Sequence, residues 1–251
     1  MDTFYTVDKD NLAPLLDNID DYPQGIVIPV DKPYRWTSAD VVRKVKFIAQ
    51  KHFRKRNLKV GHAGTLDPLA TGVLIVCTGK ATKQIESFQY QTKEYNATLR
   101  LGATTPSFDL EHEIDAFFPY EHITKEMIES VLPHFLGEIM QVPPTFSAVK
   151  INGKRAYKYA RQGEDVEIAP KKLVIDEIEL IKFEPPLLDL RIVCSKGTYI
   201  RALARDIGTA LNSGAHLVKL ERTRIGDITL DKCISIEDFE KQFEKEITNK
   251  I

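Results

Sequence analysis

Cysteine is scarce in this chain. Only Cys77, Cys194 and Cys233 occur, an odd and widely spaced set. They form neither a disulfide framework nor a metal knuckle. Two of them lie in apolar, strand-like runs, where inert buried thiols are expected. No run of about 18 apolar residues exists, so no membrane span is expected. The first residues, Met1 to Asp8, are acidic and lack an apolar signal core. No internal repeat and no low-complexity segment interrupts the chain. There is no phosphate-binding glycine loop of the usual kind. Glu111-His112-Glu113 alternates on a loop with no fourth ligand, so a metal site is not expected there. These absences point to a protein of the reducing cytoplasm.

What is present is ordinary in bulk and uneven in detail. At 251 residues, 43% hydrophobic and 28% charged, the chain suits one large domain with a self-sufficient core. The net charge of −1 hides an asymmetry: residues 1–24 carry −5, residues 227–251 carry −3, and residues 25–226 carry +7. A basic middle hints at a polyanionic partner. Residues 43–59 contain no acid but hold Arg43, Lys44, Lys46, Lys51, Arg54, Lys55, Arg56 and Lys59. A solvated helix face usually mixes signs, whereas a one-sign block suits phosphates.

The most informative stretch runs from Val60 to Leu74. It holds Gly61, Gly64 and Gly72, and one carboxylate, Asp67, directly before Pro68. Proline fixes its own φ and pushes the preceding residue towards extended geometry. Asp67 is thus presented from a stiff turn leading into a buried strand, Val73 to Cys77. Asp-Pro is also an ordinary helix start, with Asp as cap and Pro in the first turn.

The string Gly61-His62-Ala63-Gly64-Thr65-Leu66-Asp67-Pro68-Leu69-Ala70-Thr71-Gly72-Val73-Leu74 fills every fixed position of G-H-x-G-x-L-D-P-x-A-x-G-x-L. It closely resembles the catalytic-loop motif of the TruB family of pseudouridine synthases. Five further segments resemble that family, in family order along the chain. Asp31-Lys32-Pro33-Tyr34-Arg35-Trp36-Thr37-Ser38 matches D-K-P-x-G-x-T-S, with Arg35 in place of the family glycine. Lys93-Glu94-Tyr95-Asn96-Ala97 matches K-x-Y-x-A. Residues 141–163 match P-P-x-[FY]-S-A-[LV]-K followed by G-x-[RK]-x-Y-x-x-A-R-x-G. Cys194 to Gly208 matches C-S-x-G-T-Y-I-R-x-L-x-x-D-[IL]-G, and His216 to Thr223 matches the closing strand H-[hydrophobic]-x-x-L-x-R-[TL]. Ser107-Phe108-Asp109 resembles a T-x-D element within a connecting loop, 104–119.

The resemblance implies an α+β pseudouridine-synthase fold: a mixed, mainly antiparallel central sheet flanked by helices, with a catalytic cleft. It implies residues 25–234 as the catalytic domain, with 141–163 as an insertion that grips the tRNA stem-loop. Residues 1–24 are then an extension, and 235–251 a C-terminal helix with no PUA domain. The implied reaction is isomerisation of uridine 55 in the tRNA T-loop, without cofactor or metal. Asp67 is implied as nucleophile, on base or sugar, and Arg201 as its partner. Tyr95 would stack on the flipped base, and Leu220 would wall its pocket. His62 would help to fill the vacated space, and Lys32 and Tyr199 would line the substrate site. Lysines and arginines suit phosphate contacts: Arg54, Lys55, Arg56, Lys150, Lys154, Arg155 and Arg161 are expected on the RNA backbone. The expected partner is the T-arm of tRNA, bound by a monomer with no obligatory protein partner and no membrane. A non-catalytic RNA-folding factor and a guide-RNA-dependent subunit are the rival readings.

The periodicity predicts a strand over 26–30, a helix over 39–52 capped by Thr37 or Ser38, and a helix over 82–90. It further predicts a strand over 94–102, a helix over 124–136, strands over 173–183 and 187–194, and a helix to Leu211. A last helix, capped by Ser235, places Phe239, Phe243 and Ile247 at spacing four.

Overall fold

The computed structural model describes residues 4–11, 15–151, 153–164 and 166–241. The elements in chain order are β1 (Tyr5–Thr6), β2 (Ile26–Lys32), α1 (Ser38–His52), β3 (Val60–Ala63), β4 (Ala70–Thr78) and α2 (Ile85–Tyr90). They continue with β5 (Lys93–Leu101), β6 (Ala103–Thr104), β7 (Ala116–Phe117), α3 (Lys125–Val131) and β8 (Gly137–Gln141). Next come β9 (Lys150–Ile151), β10 (Lys154–Arg155) and α4 (Ala156–Ala160). β11 (Lys171–Glu184), β12 (Leu187–Cys194), α5 (Ile200–Ala210), β13 (Ala215–Ile225) and β14 (Ile228–Thr229) complete the order. The class is α+β with mainly antiparallel sheet, as the sequence implied. The chain divides into two compact units, residues 1–93 with 221–251, and residues 94–220.

In the first unit, β1 runs parallel to β2, and β2 runs antiparallel to β4 from Ile26↔Thr78 to Lys32↔Gly72. β3 pairs with the second half of β4. Strand side chains alternate between faces, and both faces are buried. Ile26, Ile28, Val30, Leu74 and Val76 pack with Val41, Val45, Ile48 and Ala49 of α1. Val27, Val73, Ile75 and Cys77 pack on the other side with Ala63, Phe88 and Ile225. This is why residues 73–77 read as one continuous apolar run. At about 25 cal/mol per Å² of apolar surface, such a two-sided strand is a major source of stability. The N-terminal segment is part of this core, since Val7, Leu15 and Ile19 are buried in it.

In the second unit the sheet order is β5-β12-β11-β8. β11 is antiparallel to β12 and to β8, with register shifts at Ile175/Glu177 and Leu180/Lys182. On β5 the residues Tyr95, Ala97, Leu99 and Leu101 are buried, and their alternate neighbours are less so. Helix α5 buries Ile200, Arg201, Ala202, Leu203, Ala204 and Ile207.

Three details differ from the periodicity. The helix expected over 124–136 is α-helical only to Val131 and tightens to a 3-10 turn over Leu132–Phe135. Pro133 lacks the N–H that would continue the ladder. The loop over 104–119 contains a short ribbon, with Ala103↔Phe117 and Thr104↔Ala116. The stretch 82–90 begins in a 3-10 helix and becomes α-helical at Ile85. All three cysteines are buried, and burial pushes the Cys77 and Cys233 thiols up to about 12. Ser235 accepts from the Asp238 N–H, and Phe239 is buried. Phe243 and Ile247 lie outside the described residues.

Candidate active site

The structure does not use Asp67-Pro68 as a helix start. The loop turns directly from β3 into β4, and its backbone is tied at Gly64, Leu66, Asp67 and Pro68. Ser38 Oγ donates to Leu66 O at 3.1 Å and accepts from Leu66 N at 2.9 Å. Thr37 caps α1, closing a capping box with Asp40, which leaves the Ser38 hydroxyl for the loop. Ala70 N donates to Asp67 O, and Arg35 N donates to Pro68 O at 2.8 Å. Lys32 is fully buried, and its ammonium donates to the carbonyls of Pro33, Trp36 and Pro68 at 3.0, 2.6 and 3.4 Å. Arg222, 2% exposed, donates from Nε to Val73 O at 2.8 Å and from Nη2 to Gly64 O at 3.1 Å. Asp67 is half-buried on this frame.

Arg35 has φ +67°, a left-handed conformation that costs a non-glycine residue about 1–2 kcal/mol. The resembling motif has glycine at this place, a residue that takes such a φ without cost; here the arginine bears the strain. Its N–H bond to Pro68 O requires that turn.

Charge at this loop is held in a desolvated setting. Burial pushes the Lys32 ammonium down to about 8, opposed first by the nearby Asp67 carboxylate. Burial also lowers the His62 imidazole, and the Arg222 guanidinium lowers it further. His62 is thereby kept neutral near pH 7.

A second set of predicted residues lies in the other unit. Arg201, 4% exposed, sits on α5. It pairs with Asp109 at 3.5 Å and donates to Ser107 O at 3.2 Å and Phe146 O at 3.0 Å. The buried Asp109 accepts from Ser107 Oγ and Glu111 N. Tyr199 immediately precedes α5. Gln141 holds its backbone twice, donating to Tyr199 O at 3.2 Å and accepting from Tyr199 N at 2.9 Å. Tyr95 and Leu220 are buried, 8% and 7% exposed.

The predicted phosphate-contacting side chains are mostly at the surface. Arg54, Lys55 and Arg56 are exposed. The absence of acids within 43–59 does not leave the block unpaired. Arg43 pairs with Asp40, Lys44 with Glu240, and Lys55 with Asp20 of the N-terminal segment. Lys150, Arg155 and Arg161 are exposed and Lys154 is half-buried. Lys154 lies over the Tyr159 ring at 4.1 Å, and Arg161 over Tyr157 at 5.4 Å.

Sequence reasoning missed four residues that hold these groups: Ser38, Asp109, Gln141 and Arg222. All four lie in the motif segments, Ser38 as a possible helix cap, but their partners are 28 to 158 residues away in sequence, so no local signal marked the holding role. No group of three or more His, Cys, Asp or Glu that could hold a metal occurs among the described residues. No described helix is long and apolar enough to cross a membrane.

Residues 50–200 match the model of the TruB family pseudouridylate synthase N-terminal domain. The chain belongs to the TruB family. Residues 201–250 of this TruB-family chain match the tRNA pseudouridylate synthase B C-terminal domain. It is 60% identical to the tRNA pseudouridine synthase B of Parabacteroides distasonis over 90% of this chain and 97% of that one. It is 62% identical to that of Phocaeicola vulgatus, over 87% and 93%. Among solved structures it resembles the crystal structure of a Cbf5-Nop10-Gar1 complex, with a TM-score of 0.69 and 29% identity. The match covers 96% of this chain and 62% of that one. It also resembles the structure of an H/ACA RNP bound to a substrate RNA containing 2'-deoxyuridine, with a TM-score of 0.65 and 29% identity. There the TruB-family chain is covered over 91% and spans 56% of the solved chain.

Proposed function

We propose that this chain isomerises uridine 55 in the T-loop of tRNA to pseudouridine, with Asp67 as the nucleophile. The observation that carries the reading is the Asp67 loop. A partly exposed carboxylate stands on a backbone fixed on both sides by Ser38, Lys32, Arg35 and Arg222. Such a fixed position is what attack on a reacting atom needs.

In the reaction, the C1′–N1 bond breaks, the base turns, and a C1′–C5 bond forms. The C5 proton leaves and N1 gains one, so nothing is oxidised or consumed. The uridine must leave its stack, which is cheaper in a loop than in a duplex. Tyr95 offers a flat apolar face for the extruded base, and Leu220 an apolar wall. Arg201 is the cation proposed to keep Asp67 ionised while Asp109 holds the guanidinium. His62, neutral and half-buried, fills space near the vacated stack. Tyr199, fixed by Gln141, lines the substrate site. Lys32 faces the backbone of the loop, so its contribution is the position and charge of Asp67.

Arg54, Lys55 and Arg56, with Lys150, Lys154, Arg155 and Arg161 of the 141–163 insertion, are assigned to RNA phosphates. Residues 25–234 are read as the catalytic domain, residues 1–24 as an extension, and 235–251 as a C-terminal helix. The enzyme is read as a cytoplasmic monomer acting on the T-arm without guide RNA.

The test is tritium release from C5-labelled uridine in a bare T-arm stem-loop. Wild type should release tritium unaided. Asp67→Asn should release none, yet bind the stem-loop within about 1.4 kcal/mol, a factor of ten. Wild-type turnover by the Asn variant would falsify the nucleophile assignment. No release by wild type without a guide would overturn the T-loop reading.

A further inference from the structure

Arg222 belongs to a motif of the closing strand, yet its side chain has no part in the reading above beyond its bonds. Its geometry is specific. One planar guanidinium reaches Gly64 O and Val73 O, carbonyls on either side of Asp67 and nine positions apart in the chain. Only arginine carries N–H donors fixed in a rigid fork that can serve two acceptors at once. The loop is shaped to receive it. Gly72 has φ +99°, and a Cβ there would lie 2.3 Å from Arg222 O and 2.9 Å from Arg222 N. The loop therefore runs against the Arg222 backbone as well as its side chain. At Gly64 it is the backbone, with φ +92°, that favours glycine, since a Cβ there would make only ordinary contact with Nη1 at 3.7 Å. The remaining anchors, at Leu66 and Pro68, fix the middle of the loop.

We infer that Arg222 is a positioning residue that ties the two limbs of the 64–73 loop together and thereby sets the place of the Asp67 carboxylate. The inference rests on the reading of Asp67 as nucleophile. Without the fork, the β-ladder still holds the strand ends at Ala63, Gly72 and Val73, but nothing ties Gly64 O across to Val73 O, and the carboxylate between them can shift along the turn. A displacement of about 1 Å from the attacking geometry is enough to cost on the order of 100-fold in rate. RNA phosphates are held by other side chains, so affinity has no reason to change.

The test uses Arg222→Lys in the full chain. The ammonium keeps the buried charge but lacks the fork. Arg222→Gln, neutral and with one amide donor group, is the second variant. Single-turnover tritium release at saturating stem-loop is measured per folded molecule, with the stem-loop dissociation constant. Both variants should react about 10–100-fold more slowly than wild type, with affinity changed less than threefold. A merely structural residue would lower the folded fraction and leave the surviving molecules at the wild-type rate. Folded Arg222→Lys or Arg222→Gln reacting at the wild-type rate would overturn the inference. So would rate and affinity falling in the same proportion. Should one variant not fold, the other is decided by the same readout; if neither folds, Arg222 supports the fold itself and the positioning role is rejected. Asp67→Asn is run beside them. Turnover by that variant sinks the nucleophile reading, whereas a dead Asp67→Asn with full-rate Arg222 variants sinks only the clamp.

Discussion

Arg201→Met provides the most quantitative test of the second unit. The Arg201 and Asp109 side chains are 5% and 6% exposed. Removing the guanidinium leaves a buried carboxylate without its cation, which costs about 3–5 kcal/mol. Ser107 O and Phe146 O also lose a donor, adding roughly 1 kcal/mol each. For a chain of this length each kcal/mol moves the melting temperature by about 2–4 °C. Arg201→Met should therefore melt on the order of 10 °C lower or more. Asp109→Leu combined with Arg201→Met removes the charge altogether. That double variant should recover about 2–3 kcal/mol, but not all, because the two carbonyls stay without their donor. A double-mutant cycle by calorimetry or urea unfolding reads the coupling directly. Turnover should stay low in both, since neither restores a cation. If the double variant were as unstable as Arg201→Met alone, or if Arg201→Met cost under 1 kcal/mol, the buried-pair account would be wrong.

Three further outcomes follow from the geometry. Arg35→Gly relieves a left-handed arginine at the cost of a more flexible unfolded chain, so it should stabilise by about 0.5–1 kcal/mol in denaturant titration. A loss instead would mean that the arginine side chain contributes more than its backbone strain costs. Lys32 titrates near 8 when folded and at 10.5 in an ordinary setting, so between these values the unfolded chain binds the extra proton. The stability of wild type relative to Lys32→Met should then rise with pH across that window, by about 1.4 kcal/mol per unit; a flat difference refutes the desolvated ammonium. Reversing Lys55 and Arg56 to Glu should weaken binding of every tRNA similarly and flatten the log–log salt dependence by about 0.7–0.9 per lost contact. An unchanged slope and affinity would put the RNA on another side of the protein.

The chain's own order of residues determined most local structure. Apolar alternation placed β5, β11 and β12, and the unbroken run at 73–77 marked a strand buried on both faces. Thr37 with Asp40 fixed the start of α1, because a cap is a contact over three residues. The Asp67 loop was legible for the same reason: its glycines, proline and carboxylate act on their neighbours. Tertiary structure decided what lies far apart in sequence. Ser38 reaches Leu66, Arg222 reaches Gly64 and Val73, and Arg201 reaches Ser107 and Phe146. The acid-free block of 43–59 gives no sign that Asp20 and Glu240 pair with it. Periodicity and propensity act over a few residues, whereas a buried charge takes whichever partner the folded backbone brings within about 3 Å. Arg35 shows both influences. Its side chain favours ordinary backbone angles, but the Pro68 carbonyl across the turn holds it left-handed.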